Sequence, residues 1–190
     1  AVLRFARSNR TMPMFSTPIS SLALGDGVIE QDGDGLAILG GANPGFTGDV
    51  NVIDGELEAG VAGALENARS IAVQSGATFT VSADGALGVD NSALVPDVEL
   101  FNGALFRMLA GSDFVLGAVN DLTLRGGSVE SGLNPAGSTN SLYVKGAINV
   151  TQDSEISARN VALIKGGTAS TPTDIYVALG KSLVFSGTIK

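Results

Sequence analysis

The chain of 190 residues contains no histidine, no cysteine and no tryptophan. The first two absences exclude Ser-His and Cys-His nucleophilic catalysis, thiol chemistry and the usual zinc ligands. They also exclude a disulfide framework, so cysteine usage does not fix the compartment. Basic residues are few: 11 Lys and Arg stand against 19 Asp and Glu, a net charge of −8. A chain of that sign does not neutralise phosphates, so nucleic acid is not an expected partner. No basic amphipathic stretch offers itself to an anionic membrane surface. No run of about 18 apolar residues is present, so no membrane-spanning helix is expected. The first ten residues carry Arg4, Arg7 and Arg10 without an apolar core, unlike a secretory leader.

What the chain does have is an apolar fraction of 44% with only 16% charged residues and 26 glycines. Disorder needs low hydrophobicity and high charge, so an ordered structure is expected. Length alone fits one domain or one segment of a repeat array. The helical pattern i, i+3, i+4, i+7 is almost absent. The best window, Val61–Ser70, holds Ala62, Leu65 and Ala68 but contains Gly63 and reads as a loop or a single turn.

Strand patterns are everywhere, as short alternating runs that stop at Gly, Asn or Asp. In residues 70–83, Ile71, Val73, Phe79 and Val81 would face one side; Ala72, Gln74, Thr78 and Thr80 would face the other. Leu122/Leu124, Leu142/Val144, Ile148/Val150 and Leu183/Phe185 alternate in the same way. The runs also repeat around a glycine corner. Copies are Ile71-Ala-Val-Gln-Ser-Gly76, Glu99-Leu-Phe-Asn-Gly103 and Leu142-Tyr-Val-Lys-Gly146. Gly55, Gly76, Gly103, Gly126, Gly146 and Gly166 step by about 20 residues, a solenoid period. One strand pair cannot bury both its edges and its apolar face, but stacked coils satisfy the backbone and build a continuous interior. The alternative, a β-sandwich, needs hairpin turns, and Asn102-Gly103 is the only Asn-Gly pair. The expectation is one all-β unit over 1–190: a right-handed parallel β-helix (β-solenoid) of about 20 residues per coil. The chain opens and closes in mid-pattern, which predicts a piece of a longer array.

Residues 28–59 read VIEQDGDGLAILGGANPGFTGDVNVIDGELEA. This resembles the passenger-associated transport repeat (autotransporter-associated β-strand repeat) of Gram-negative autotransporter passenger domains, roughly G-x-G-T-L-x-L-x-G-x-N-x-Y-x-G-x-T-x-V-x-x-G-x-L. The resemblance is carried by Gly33, Gly35, Leu36, Ile38, Gly41, Asn43, Phe46, Gly48, Val50, Val52, Gly55 and Leu57. Gly45-Phe46 stands where the pattern has Thr-Tyr, and the Thr after Gly35 is missing. Residues 3–9 and Pro18-Ile-Ser are similar to the lead-in of such a repeat, and residues 183–190 to the start of another. The resemblance implies a right-handed β-helix on the cell surface or released from it, secreted through a C-terminal β-barrel. The expected role is structural: stacked coils build a stiff rod whose polar ladders and loops serve adhesion or self-association, with open coil ends that could stack into rods or filaments. A segment that chiefly assists secretion by folding outside the cell is a further expectation.

No residue is assigned to catalysis, to a cofactor or to a metal. The densest acidic turn, 26–34 (Asp26, Glu30, Asp32, Asp34), suggests calcium through its carboxylate oxygens. Counted from Asp32, however, the sixth and twelfth positions of an EF-hand loop are Ala37 and Asn43, so that motif fails. The turn reads as an acidic solenoid corner. A carbohydrate-active β-helix, polysaccharide lyase-like or glycosidase-like, is the alternative and requires clustered carboxylates on an outer face. Asp113, Asp121 and Glu130 fall on separate segments, while Glu99, Arg107 and Arg125 could stack on one face. Gly180-Lys181-Ser182 matches the end of a P-loop, but Ile175 stands where the first glycine belongs. The sequons Asn9-Arg-Thr11 and Asn149-Val-Thr151 read as chance. Phe101, Leu105, Phe106, Met108, Leu109 and Phe114 form the most apolar stretch, a core layer or a self-association patch. Residues 131–141 read as a protruding loop. The expected partners are a second copy, by coil stacking or lateral contact, or a surface ligand such as a glycan.

Overall fold

A computed structural model describes residues 1–6, 14–15, 27–88, 95–109, 115–131, 141–157, 160–162, 173–186 and 188–189. Among these residues the chain is all-β and without a helix, and every strand pairing is parallel. It is a parallel β-solenoid built on three walls.

The first wall runs β1 (Val2–Phe5), the start of β3 (Val28–Leu39), the start of β4 (Asp49–Ala59), β5 (Ser70–Val73), β7 (Asp97–Leu100), β10 (Leu122–Arg125), β13 (Ala147–Gln152) and β16 (Asp174–Val177). The second wall runs from β2 (Met14–Phe15) and the ends of β3 and β4 through β6 (Thr78–Val81), β8 (Leu105–Met108), β11 (Ser128–Ser131) and β14 (Ser154–Ser157) to β17 (Leu183–Phe185). The third wall is a separate sheet of β9 (Val115–Val119), β12 (Ser141–Val144), β15 (Asn160–Ala162) and β18 (Thr188–Ile189). Earlier coils close their third side with turns instead. There Asn43 donates its amide to the Gly63 carbonyl at 2.9 Å, and Gly63 donates to Gly85 at 3.0 Å.

Alternation fixes the interior. Side chains of a strand point alternately in and out, so one column per wall fills the core. Along the first wall Ile29, Val50, Ile71, Val98, Leu122 and Ile148 stack in register and are buried. Leu57, Phe79, Phe106 and Val129 do the same on the second wall. The rings of Phe79 and Phe106 lie 5.6 Å apart. The expected inward set of residues 70–83 is buried as read, but Thr80 is also sealed, beneath its hydrogen bond to Glu56. Within Val61–Ser70, residues 61–69 form turns and bends that bury Ala64, Leu65 and Ala68 on the third side, and Ser70 opens β5.

The period needs one refinement. Steps along the walls range from 19 residues (Ser141 to Asn160) to 29 (Ser154 to Leu183). Coil length varies without a steady trend: the step from β5 to β7 is 27 residues, that from β7 to β10, which contains β9, is 24, and that from β12 to β15 is 19. Gly55, Gly76, Gly103 and Gly126 do share one corner, between the first and second walls, all with positive φ. Gly146 does not belong with them: it lies between β12 and β13, at the corner from the third wall to the first. The two corners look alike in sequence because each is an alternating strand broken by one small residue. The true continuation of the first corner is Asp153, between β13 and β14, and then Gly180. At the glycine-free corner the Ser154 hydroxyl donates to the Gln152 carbonyl at 2.8 Å and accepts from the Gly126 amide at 3.2 Å.

Candidate functional site

The outer faces carry the polar chemistry, and most of it joins one rung to the next. On the first wall Arg4 pairs with Glu30 (2.7 Å) and reaches Asp32 (3.6 Å). These contacts, the Glu30 hydrogen bond foremost, hold its guanidinium above the usual arginine value. Arg125 pairs with Glu99 and lies 5.8 Å from the centre of the Phe101 ring. At the corner before that wall, Asp49 takes Arg69 and the Ser70 hydroxyl. The Arg69 hydrogen bond is the main reason the Asp49 carboxyl sits below the usual range; partial desolvation works against it. One step on, Asp97 accepts from the Asn120 side chain (2.8 Å) and the Asp121 amide (3.2 Å), and Asp121 accepts from the Ala147 amide at 2.7 Å.

On the second wall Arg107 binds Glu130 at 2.7 Å and lies 3.9 Å from Glu56. The Thr80 hydroxyl donates to Glu56 at 2.6 Å, and the Ser82 hydroxyl donates to Glu58. Glu99 and Arg125 therefore share a face as expected, whereas Arg107 belongs to another wall. Glu130 joins Arg107, and Asp121 sits at a corner of the first wall.

Among the described residues, depressions on the surface carry carboxylates. A cleft of about 630 Å³ at the first glycine corner is lined by Asp34, Asp54, Glu56 and Arg107. Gly35, Gly55 and Gly76 also line it. A shallower groove of about 220 Å³ on the first wall includes Asp97, Glu99 and Asp121. All three of these carboxylates have donors within the chain. Among the described residues no three acidic side chains are grouped so as to hold a metal ion. The acidic turn 26–34 is in large part strand β3: Glu30 and Asp32 face Arg4, and Asp34 lines the cleft.

Other singled-out residues take structural places. Gly180-Lys181-Ser182 is a corner, where the amide and hydroxyl of Ser182 donate to Asp153 at 2.9 and 3.0 Å. Those bonds hold the Asp153 carboxyl below its usual value. Asn149 stands in the outward column of β13, between Thr123 and Tyr176. Phe106 and Met108 are core; Leu105 is half-buried on the outward side, and Leu109 is exposed just past the strand. Asp26, Asp113, Phe114, Gly166, the Asn9 sequon, the Pro18 turn and residues 132–140 lie outside the described residues.

Three features were not found from the sequence. Asn43, fully buried, donates its side-chain amide to the Gly41 carbonyl (2.8 Å) and the Ala64 carbonyl (3.0 Å), and so ties two coils together. Gln31 occupies an inward position and donates to the carbonyls of Gly33 (2.6 Å) and Gly35 (3.0 Å) inside the corner. Desolvation pushes the Asp84 carboxyl up, partly offset by the Gly85 amide. In the sequence Asn43 stands out only as a residue of the 28–59 motif, and for Gln31 only the neighbouring corner glycines give a hint. No described helix is long and apolar enough to cross a membrane. No family model matches the chain, and comparisons with curated proteins and with solved structures likewise give no match.

Proposed function

We propose that this chain is a structural and adhesive β-helical segment of a secreted or cell-surface, autotransporter-like protein of a Gram-negative bacterium. It would work without catalysis, as a stiff rod that presents ladders of polar side chains for adhesion or self-association. The observation that carries this reading is the use of the outer faces. Arg4–Glu30, Arg125–Glu99 and Arg107–Glu130 join neighbouring rungs to each other rather than converging on a substrate. Charges paired in this way support a surface role over an acid–base one. The resemblance of residues 28–59 to the autotransporter repeat supports the surface setting. Phe46 and Asn43 of that motif are buried where one coil meets the next, which is what a stacking repeat needs.

Two measurements test the proposal: scattering mass against concentration, and retention of the labelled chain on glycan arrays and cell surfaces. Growth in mass or retention is expected. A constant monomer that adheres to nothing would sink it. The cleft lined by Asp34, Asp54 and Glu56 favours the second reading, a carbohydrate-active β-helix. Release of unsaturated or reducing ends from acidic polysaccharides, lost in Asp54→Asn, would move the assignment there.

A further inference from the structure

Asn102-Gly103, the single Asn-Gly pair of the chain, serves no hairpin: it turns the corner between β7 and β8. The pair has a chemistry of its own. Glycine has no side chain to shield its main-chain nitrogen, so that nitrogen reaches the side-chain amide of a preceding asparagine with least hindrance. The other asparagines among the described residues lack this neighbour. Asn43 precedes a proline, which has no N–H, and Asn51, Asn149 and Asn160 precede valine, whose branched side chain crowds the nitrogen. Asn67 and Asn120 precede Ala68 and Asp121. Asn102 and Gly103 are both exposed. The Ala104 amide donates to the Phe101 carbonyl at 2.8 Å and closes a four-residue turn. Within it Gly103 has φ +72° and Asn102 a negative φ, the type II pattern. Gly126 of the next rung lies against both reacting groups. Its carbonyl accepts from the Gly103 amide at 2.9 Å. The Asn102 Oδ1 lies 3.0 Å from where a Cβ of Gly126 would be placed. Gly126 is held in turn by the rung after it, where its amide donates to the Ser154 hydroxyl at 3.2 Å.

We propose that Asn102 is a self-modification site, converted to aspartate or isoaspartate when Gly126 of the following rung lifts from the corner. Hydroxide takes the proton of the freed Gly103 amide, and the nitrogen attacks the Asn102 side-chain carbon. The new carbon–nitrogen bond closes a five-membered imide, the bond to the side-chain nitrogen breaks, and ammonia leaves. Water then opens the ring. Attack at the side-chain carbonyl gives aspartate; attack at the main-chain carbonyl gives isoaspartate, whose backbone runs through the former side chain. The sum is asparagine plus water to acid plus ammonia, with no oxidant or reductant. While the rungs are stacked, the Gly103 nitrogen is engaged with Gly126 and the turn holds it in place, so closure waits for a local opening. Isoaspartate puts an extra main-chain carbon into a corner whose strands are paired on both sides, and β7 and β8 can no longer both keep their register. Each opening that goes to completion therefore leaves a permanent break in the ladder. The site makes the rod record its own unstacking, whatever its surface binds.

The test ages the full chain in mildly alkaline buffer, folded and in urea, and follows the peptide that contains Asn102 by mass spectrometry. Hydrogen exchange of the Gly103 amide is measured under the same folded conditions. Exchange and ring closure both begin with loss of the same proton from the same nitrogen. The folded chain is therefore expected to convert more slowly than the chain in urea by the factor that protects the Gly103 amide from exchange. Ser154→Ala removes the acceptor that holds Gly126, and it should raise exchange at Gly103 and conversion at Asn102 by one common factor. Asn102→Gln, in which ring closure is disfavoured, should lose the conversion at this position, and circular dichroism confirms that both variants keep their β structure. Absence of conversion at Asn102 in urea would overturn the site. A folded rate that departs from the exchange factor in either direction, or a Ser154→Ala chain that gains exchange without gaining conversion, would overturn the gate.

Discussion

Two glycines of the same corner, Gly55 and Gly76, allow a controlled test of how the stack is built. Both hold positive φ, +62° and +81°. An alanine in that region costs about 1–2 kcal/mol. The stiffer unfolded chain returns about 0.4–1 kcal/mol of this. At Gly76 nothing lies within 4 Å of where a Cβ would be placed. Gly76→Ala should therefore cost about 0.5–1 kcal/mol by these figures. At Gly55 a Cβ would sit 2.2 Å from the Gly33 carbonyl oxygen and 2.4 Å from that of Gly35. Those atoms are backbone of the preceding rung and cannot swing aside, so overpacking adds about 1–3 kcal/mol. Gly55→Ala should cost about 2–4 kcal/mol in total. In urea unfolding followed by circular dichroism, the two midpoints should separate by about 1 M at a slope of about 2 kcal/mol/M. Equal midpoints would refute the claim that rung-to-rung contact at this corner, rather than turn conformation alone, dictates glycine.

Phe79→Ala removes a ring sealed between neighbouring rungs and should cost about 3–5 kcal/mol, read as a lower urea midpoint; Ile175→Ala, at a partly exposed position, should cost far less. Asn43→Ala orphans the buried carbonyls of Gly41 and Ala64 and should lose about 1–3 kcal/mol, with faster amide exchange on the third side near Asn43 as a second readout. The folded Asp49 carboxyl lies below its usual value, so its contribution is present above the unfolded pKa near 4 and fades as pH falls through the folded value. Asp49→Asn should flatten that acid limb of the stability curve by at most about 1 kcal/mol, since the pair faces solvent.

Much of the architecture is readable in the order of residues. Ile71, Val73, Phe79 and Val81 alternate because a strand has a period of two, and that local rule needs no knowledge of neighbours. Gly55, Gly76 and Gly103 recur because a tight corner between stacked strands requires small residues and positive φ wherever it occurs. These two facts already exclude a helical bundle and favour a solenoid over a sandwich. Which corner a glycine serves is not local. Gly146 reads like Gly103, yet it turns from the third wall to the first, and Asp153 turns a corner that has no glycine at all. The pairing of charges was legible only in part: Glu99 and Arg125 share a face as expected, but Arg107 lies on another wall with Glu130. Arg107 meets Glu130, 23 residues away, and Arg125 meets Glu99, 26 away. Coil length varies from turn to turn, and a shift of one residue would send a side chain to the opposite face. Alternation along each strand therefore comes from the sequence, but the lateral register that brings outward residues together is decided only when the coils stack and their backbones pair.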